Sequence, residues 1–187
     1  TDGFVNTTDF INGGDYFPSN GSGLGRFQAA MQIRRGSRLN CINSVAIGWP
    51  IGLILDNQKG DTQGSASKGL LRLNNIVFAD MDVTGSDANK SYDDALVTGY
   101  DANSKPIYDT TQKSFSSTWF LSQADNRVVS CLNLVNWMPV AGSPLLSGAS
   151  FDYLSSWFTK VDYIGAFAQN DGWMNGWTNF DPENTDY

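Results

Sequence analysis

Asp80, Asp82 and Asp87 follow one another in the spacing D-x-D-x4-D, with Asn89 close behind. Hard cations such as Ca²⁺ collect about six to eight oxygens from carboxylates and carbonyls, so this trio is the candidate Ca²⁺ site of the chain. It is not an EF-hand loop, because the glycine and the terminal Glu of that loop are misplaced. A solvated acidic cluster is the commoner origin of such a pattern. Asp80 and Asp82, two residues apart, would share one face of a strand. That also makes them a candidate carboxylate pair for glycoside hydrolysis, which needs two acids facing one cleft. Asp93 and Asp94 are the other pair, and Glu183 is the only Glu. A polysaccharide lyase would need a cationic base as well, and Arg72 is the nearest in sequence. The chain has no His, which excludes a Ser-His-Asp or Cys-His triad within it. No catalytic residue is assigned on these grounds.

Aromatic side chains are the second constellation. Trp119, Trp137, Trp157, Trp173 and Trp177 crowd the C-terminal third. Trp119, Trp173 and Trp177 are the candidate ligand-binding residues, since exposed indoles can stack on sugar rings. The alternative for Trp173 and Trp177 is a cap over the last turn of a repetitive fold, where core would otherwise be exposed. Trp157 falls on the apolar face of a predicted helix and is expected to pack.

Charge narrows the partners. The net charge is -7 with a pI near 4.3, which argues against nucleic acid, because phosphate binding needs clustered Lys and Arg. Arg34, Arg35 and Arg38 form the one basic cluster and read as a solvated corner, or as the place where preceding coils or a partner chain sit. No apolar run is long enough for a transmembrane helix. Cys41 and Cys131 both lie in apolar runs; one disulfide and two buried thiols are both compatible with that placement. The first residue is Thr rather than Met, which reads as a processed product, a fragment or part of something longer.

The elements that must position these residues are short strands. Residues 29–33, 39–47 and 51–55 are apolar runs broken at Arg34-Arg35-Gly36-Ser37 and at Gly48-Trp49-Pro50. Runs of this kind between Gly and Pro read as strands. Residues 42–48 align with residues 73–79 at an offset of 31, apolar-Asn-polar followed by three apolar residues and a small one. Leu132-Asn133-Leu134-Val135 is a weaker echo. Recurrence of one strand-corner unit is the mark of a solenoid, and it predicts Asn43 stacked over Asn74, with Ile42, Val45 and Ile47 beside Leu73, Ile76 and Phe78. Residues 1–25 read as an irregular lead-in and 84–118 as a long inserted loop with a helical turn at 93–97. Residues 151–158 read as a short helix, from apolar positions 151, 154, 157 and 158, and residues 163–167 as a last strand.

Four stretches resemble the C-terminal part of a family of secreted Bacteroidetes-type surface proteins: IRRGSRLNCINSVAIGWPIGLILD (33–56), PVAGSPLLSGASF (139–151), FTKVDYIGAF (158–167) and WMNGWTNFDPENTDY (173–187). Members of that family are longer and are regarded as lipoprotein-like right-handed parallel β-helices without an established activity. The 84–118 insertion has no counterpart in the resemblance. What the resemblance implies is an exported, cell-surface setting on the exterior of an outer membrane and a chain that is the C-terminal portion of a larger protein.

The expected fold is therefore an all-β, right-handed parallel β-helix, or its C-terminal half, in one domain over 1–187 with a cap from 150 onward. The expected function is an exported, non-catalytic binding or structural protein. The alternatives are a polysaccharide-active enzyme with its acids at Asp80 and Asp82, and a docking subunit whose open end pairs with another protein chain or with missing N-terminal coils.

Overall fold

The computed structural model describes residues 28–89, 91–135, 137–152, 154–179 and 184. The 1–25 lead-in and the final stretch from 180, Asn184 apart, lie outside the described residues. Strands β1 (Ala29–Arg34), β2 (Asn40–Ile47), β3 (Ile51–Asp56) and β4 (Arg72–Ala79) form where the apolar runs predict them. Helix α1 (Thr62–Ser67) follows β3, starting at Asp61, whose carboxylate accepts from the Gly64 N–H at 2.9 Å. Beyond β4 come β5 (Val83–Ser86), the β6 (Leu96–Tyr100) and β7 (Pro106–Asp109) hairpin, α2 (Phe115–Ser122), β8 (Arg127–Val129), β9 (Leu134–Val135) and β10 (Met138–Pro139).

Alternate strands pair. β1-β3-β5 is one parallel three-stranded sheet and β2-β4-β8 another, while β6-β7 and β9-β10 are antiparallel pairs. The expected right-handed parallel β-helix does not form, and the chain is not all-β. The interval between partners is not constant: Ala29 pairs with Ile51 but Ile51 with Val83, and Asn40 pairs with Arg72 but Val77 with Arg127. Among the described residues each parallel sheet has three strands. After β8 the chain does not add a coil; it turns back across a face of the second sheet.

That return explains the burial of β4. Leu73, Ile76 and Phe78 enter one core with Ile33, Leu53, Leu55, Leu71 and Phe120, where the Phe78 and Phe120 rings stack at 4.3 Å. Val77 and Ala79 enter a second core with Leu132, Leu145 and Ile164 from the returning segment. A strand covered on both faces needs a near-continuous apolar run, and Ile76-Val77-Phe78-Ala79 supplies it.

The Asn ladder exists one residue away from its expected place. Ile42 pairs with Asn74 and Ser44 with Ile76, an offset of one residue from the sequence alignment. Asn43 (φ 46°) and Asn75 (φ 58°) both adopt the left-handed conformation that Asn tolerates. The Asn75 amide donates to Asn43 Oδ1 and to the Gly148 carbonyl, both at 2.7 Å. Asn43 in turn holds Ser150 through both its amide atoms, at 2.8 and 3.0 Å. The ladder thus clamps the returning segment onto the sheet. A shift of one residue exchanges the two faces of a strand, so Ile42 does not lie beside Leu73; Cys41 does.

Other local expectations are also corrected. Residues 93–97 form no helical turn; 93–95 are irregular and 96–97 open β6. Among the described residues of 151–158 no helix forms; Leu154 N–H donates to Phe151 O and Phe158 N–H to Ser155 O, in successive turns. A helix that short is marginal without an apolar face to dock on, and Trp157 is 83% exposed. Residues 163–167 bend rather than pair.

Candidate ligand-binding face

The acidic trio is not brought together. Asp80 and Asp82 are exposed, while Asp87 is fully buried. Asp87 Oδ2 accepts from the backbone N–H groups of Val97 (3.3 Å) and Phe115 (2.8 Å), and Oδ1 from the N–H and hydroxyl of Ser116 (2.9 and 2.8 Å). Phe115 and Ser116 open α2, so the carboxylate satisfies amide groups that a helix start leaves without partners. Among the described residues no group of three His, Cys, Asp or Glu side chains is disposed to hold a metal ion.

The inserted region is an ordered block around that carboxylate. Ser114 caps α2 through the Ser117 N–H at 3.0 Å, and Asp94 accepts from the Ser114 hydroxyl at 2.6 Å and pairs with Lys113 at 3.1 Å. Burial pushes the Asp94 carboxyl up, but the hydrogen bonds from Ser114 and Lys113 outweigh it and hold it below the ordinary carboxylate value. Tyr100 has a buried hydroxyl without a hydrogen-bond partner. Its pKa is raised to about 12 by burial first, then by the charges of Asp56 and Asp87, with Arg34 opposing. Arg34 Nε lies 2.8 Å from Asp56 Oδ2, so this arginine is tied to a buried carboxylate rather than simply solvated.

No catalytic pairing emerges at Asp80 and Asp82. Asp80 lines a cavity of about 210 Å³ with Ser130, Cys131 and Asn133, and ion pairs are seen at other acids, at Arg34–Asp56, Lys68–Asp61 and Lys113–Asp94. Arg72 directs its Nε to the Gly69 carbonyl at 3.1 Å. Cys41 and Cys131 are free thiols, the first half-buried and the second exposed.

The aromatic candidates separate. Trp119 sits on α2 in the first core at 7% exposure. Trp173 and Trp177 are 48% and 67% exposed, so they do not cap a core; the second core is closed by Leu132, Leu145 and Ile164 instead. The Phe167 and Trp173 rings stack at 5.3 Å with planes 20° apart, and Trp177 continues at 5.5 Å and 39°. The Trp173 indole N–H donates to the Ala166 carbonyl at 3.1 Å and that of Trp177 to the Trp173 carbonyl at 2.8 Å. Both polar handles are therefore held inside the loop and fix the rings, leaving ring surface to solvent. Phe167 also lines an adjoining apolar groove of about 140 Å³ with Val45, Ile47, Leu134, Trp137 and Ile164.

Phe167 and Trp137 were not among the sequence candidates. Trp137 lies just before Met138, which pairs with Val135, where a hairpin favours Gly; that pairing left no signal in the sequence. In comparisons with protein-family models, with curated proteins and with solved structures, nothing matches this chain. Among the described residues no helix is long and apolar enough to cross a membrane.

Proposed function

We propose that this protein is an exported, non-catalytic carbohydrate-binding protein whose ligand stacks on the Trp173–Trp177 face. The observation that carries the reading is Trp177, 67% exposed at the end of a ring stack, with its indole N–H already committed to the Trp173 carbonyl. A ring held in this way loses little freedom on binding, which favours affinity. Three ligand chemistries use such rings. Nucleobases also need a cationic groove, which a net charge of -7 disfavours. A quaternary ammonium ion calls for rings that enclose it, whereas these rings follow one another in a row, stacked at 20° and then tilted at 39°. Sugar rings offer an apolar C–H face together with hydroxyls, and the exposed amides of Asn175 and Asn179 stand in the same loop. Export rests on the resemblance to secreted surface proteins.

The test is calorimetric titration with a panel of soluble neutral and acidic polysaccharides. Trp177→Ala is expected to weaken binding on the order of tenfold, the scale of one lost ring-stacking contact, with an unchanged melting temperature. Absence of binding across the panel, or binding indifferent to Trp177→Ala and Trp173→Ala alike, would sink the reading.

A further inference from the structure

We propose that the ligand is a linear glycan spanning several rings, and that Trp137 forms its second stacking subsite, on the groove that Phe167 joins to the Trp173–Trp177 stack. This rests on the carbohydrate reading above. Phe167 belongs both to the ring stack and to the groove that Trp137 lines, so one apolar surface runs from Trp177 through Trp173 and Phe167 to Trp137. A single sugar would occupy one end of it. The side chains lining the groove are all uncharged and apolar, which suits the C–H faces of pyranose rings and disfavours an ionised occupant.

Backbone strain singles out Trp137 independently. Its φ is 68°, a region that costs a bulky side chain steric energy and that Gly would occupy freely. The β9-β10 turn therefore carries an indole at the position where local stability asks for none. Strain of this sort concentrates where a side chain must be presented to a ligand. Trp137 is 42% exposed and lines the groove wall.

Two stacking subsites on one chain-like ligand make the second contact intramolecular, and affinity then rises with ligand length until both are spanned. The experiment is titration with gluco- and xylo-oligosaccharides from the monosaccharide to about six rings, on the native protein and on Trp137→Gly, Trp137→Phe and Trp177→Ala. Trp137→Gly suits the left-handed backbone and is expected to fold, which its near-ultraviolet circular dichroism and melting temperature check. The expected result is affinity climbing tenfold or more with length and then levelling. Trp137→Gly abolishes that climb while leaving short-ligand affinity in place, Trp137→Phe restores most of it, and Trp177→Ala weakens every length. Length-independent affinity overturns the proposal and leaves the carbohydrate reading standing, as does a Trp137→Gly effect equal at all lengths or absent. No binding by any oligosaccharide or polysaccharide overturns both. Should Trp137→Gly fail to fold, Trp137→Asn, which also accepts the left-handed backbone and carries no aromatic ring, takes its place in the length series with the same expected loss of the climb.

Discussion

Residues 84–122 and residues 137–179 are both rich in loops, yet they direct their polar groups in opposite ways. The first region carries acids and hydroxyls of the types that do chemistry. It turns them inward, with both Asp87 oxygens accepting from Val97, Phe115 and Ser116 and with Asp94 accepting from Ser114. The second carries aromatics, the usual material of cores. It turns only their N–H groups inward and leaves ring faces in water. Residue type alone therefore misassigns both regions; what separates them is where each side chain's hydrogen bonds end.

Asp87→Ala disrupts the inward-facing region most. Three backbone N–H groups and one hydroxyl lose their acceptor, and each buried donor left unpaired costs about 1–3 kcal/mol. The expected loss is about 4 kcal/mol, which for a chain of this length lowers the melting temperature by roughly 10 °C. Asp87→Asn, which keeps one acceptor oxygen, is expected to cost about half as much. A melting temperature within a degree or two of native for Asp87→Ala would show that the carboxylate does not pin the start of α2.

Asn75→Ala comes next. It removes the amide that bridges Asn43 and Gly148 and places a Cβ-bearing residue without a local hydrogen bond at φ 58°. About 2–3 kcal/mol is expected from the lost hydrogen bonds and the left-handed backbone together. Asn75→Gly separates the two causes, since Gly accepts the backbone and restores about 1 kcal/mol. Denaturant unfolding of both variants measures the difference, and equal losses would remove the backbone part of the explanation. Because this clamp holds the returning segment, glycan binding at Trp177 should weaken in Asn75→Ala more than in Asp87→Asn.

What could be read from the sequence follows the same physical divide. β1 to β4 were legible because apolar runs bracketed by Gly and Pro determine strands locally. Their register was not: β2 and β4 pair one residue away from the alignment of their apolar patterns, which brings Asn43 to Asn75, both in the left-handed region, and no apolar pattern records that. Closure of the fold was not legible either. Leu132, Leu145 and Ile164 are scattered along an aperiodic segment, yet they cover one face of the second sheet. Asp87 resembled a metal ligand because its partners at Phe115 and Ser116 lie far along the chain. Trp173 and Trp177 could be singled out by residue type, but their exposure depends on the returning segment supplying the second core without them.

Tyr100→Phe is the smallest expected change and the one that tests the inserted region as an electrostatic unit. The hydroxyl is buried without a partner, so removing it leaves stability at neutral pH within about 1 kcal/mol of native. The pH dependence carries the information. An unfolded Tyr titrates near 10, whereas Tyr100 in the folded chain titrates at about 12, because burial and the negative charges of Asp56 and Asp87 disfavour the phenolate. The unfolded chain therefore releases this proton first as the pH rises. The contribution is fully present below pH 10 and is lost as the pH climbs through the interval to about 12. Denaturation midpoints of the native protein should fall over that interval more steeply than those of Tyr100→Phe. The C-terminal aromatics contribute nothing to this difference, so Trp177→Ala should follow the native curve. Parallel curves for Tyr100→Phe and the native protein would mean that the hydroxyl is not under the influence of Asp56 and Asp87, and the inward-facing charge of this region would then stop at Asp87.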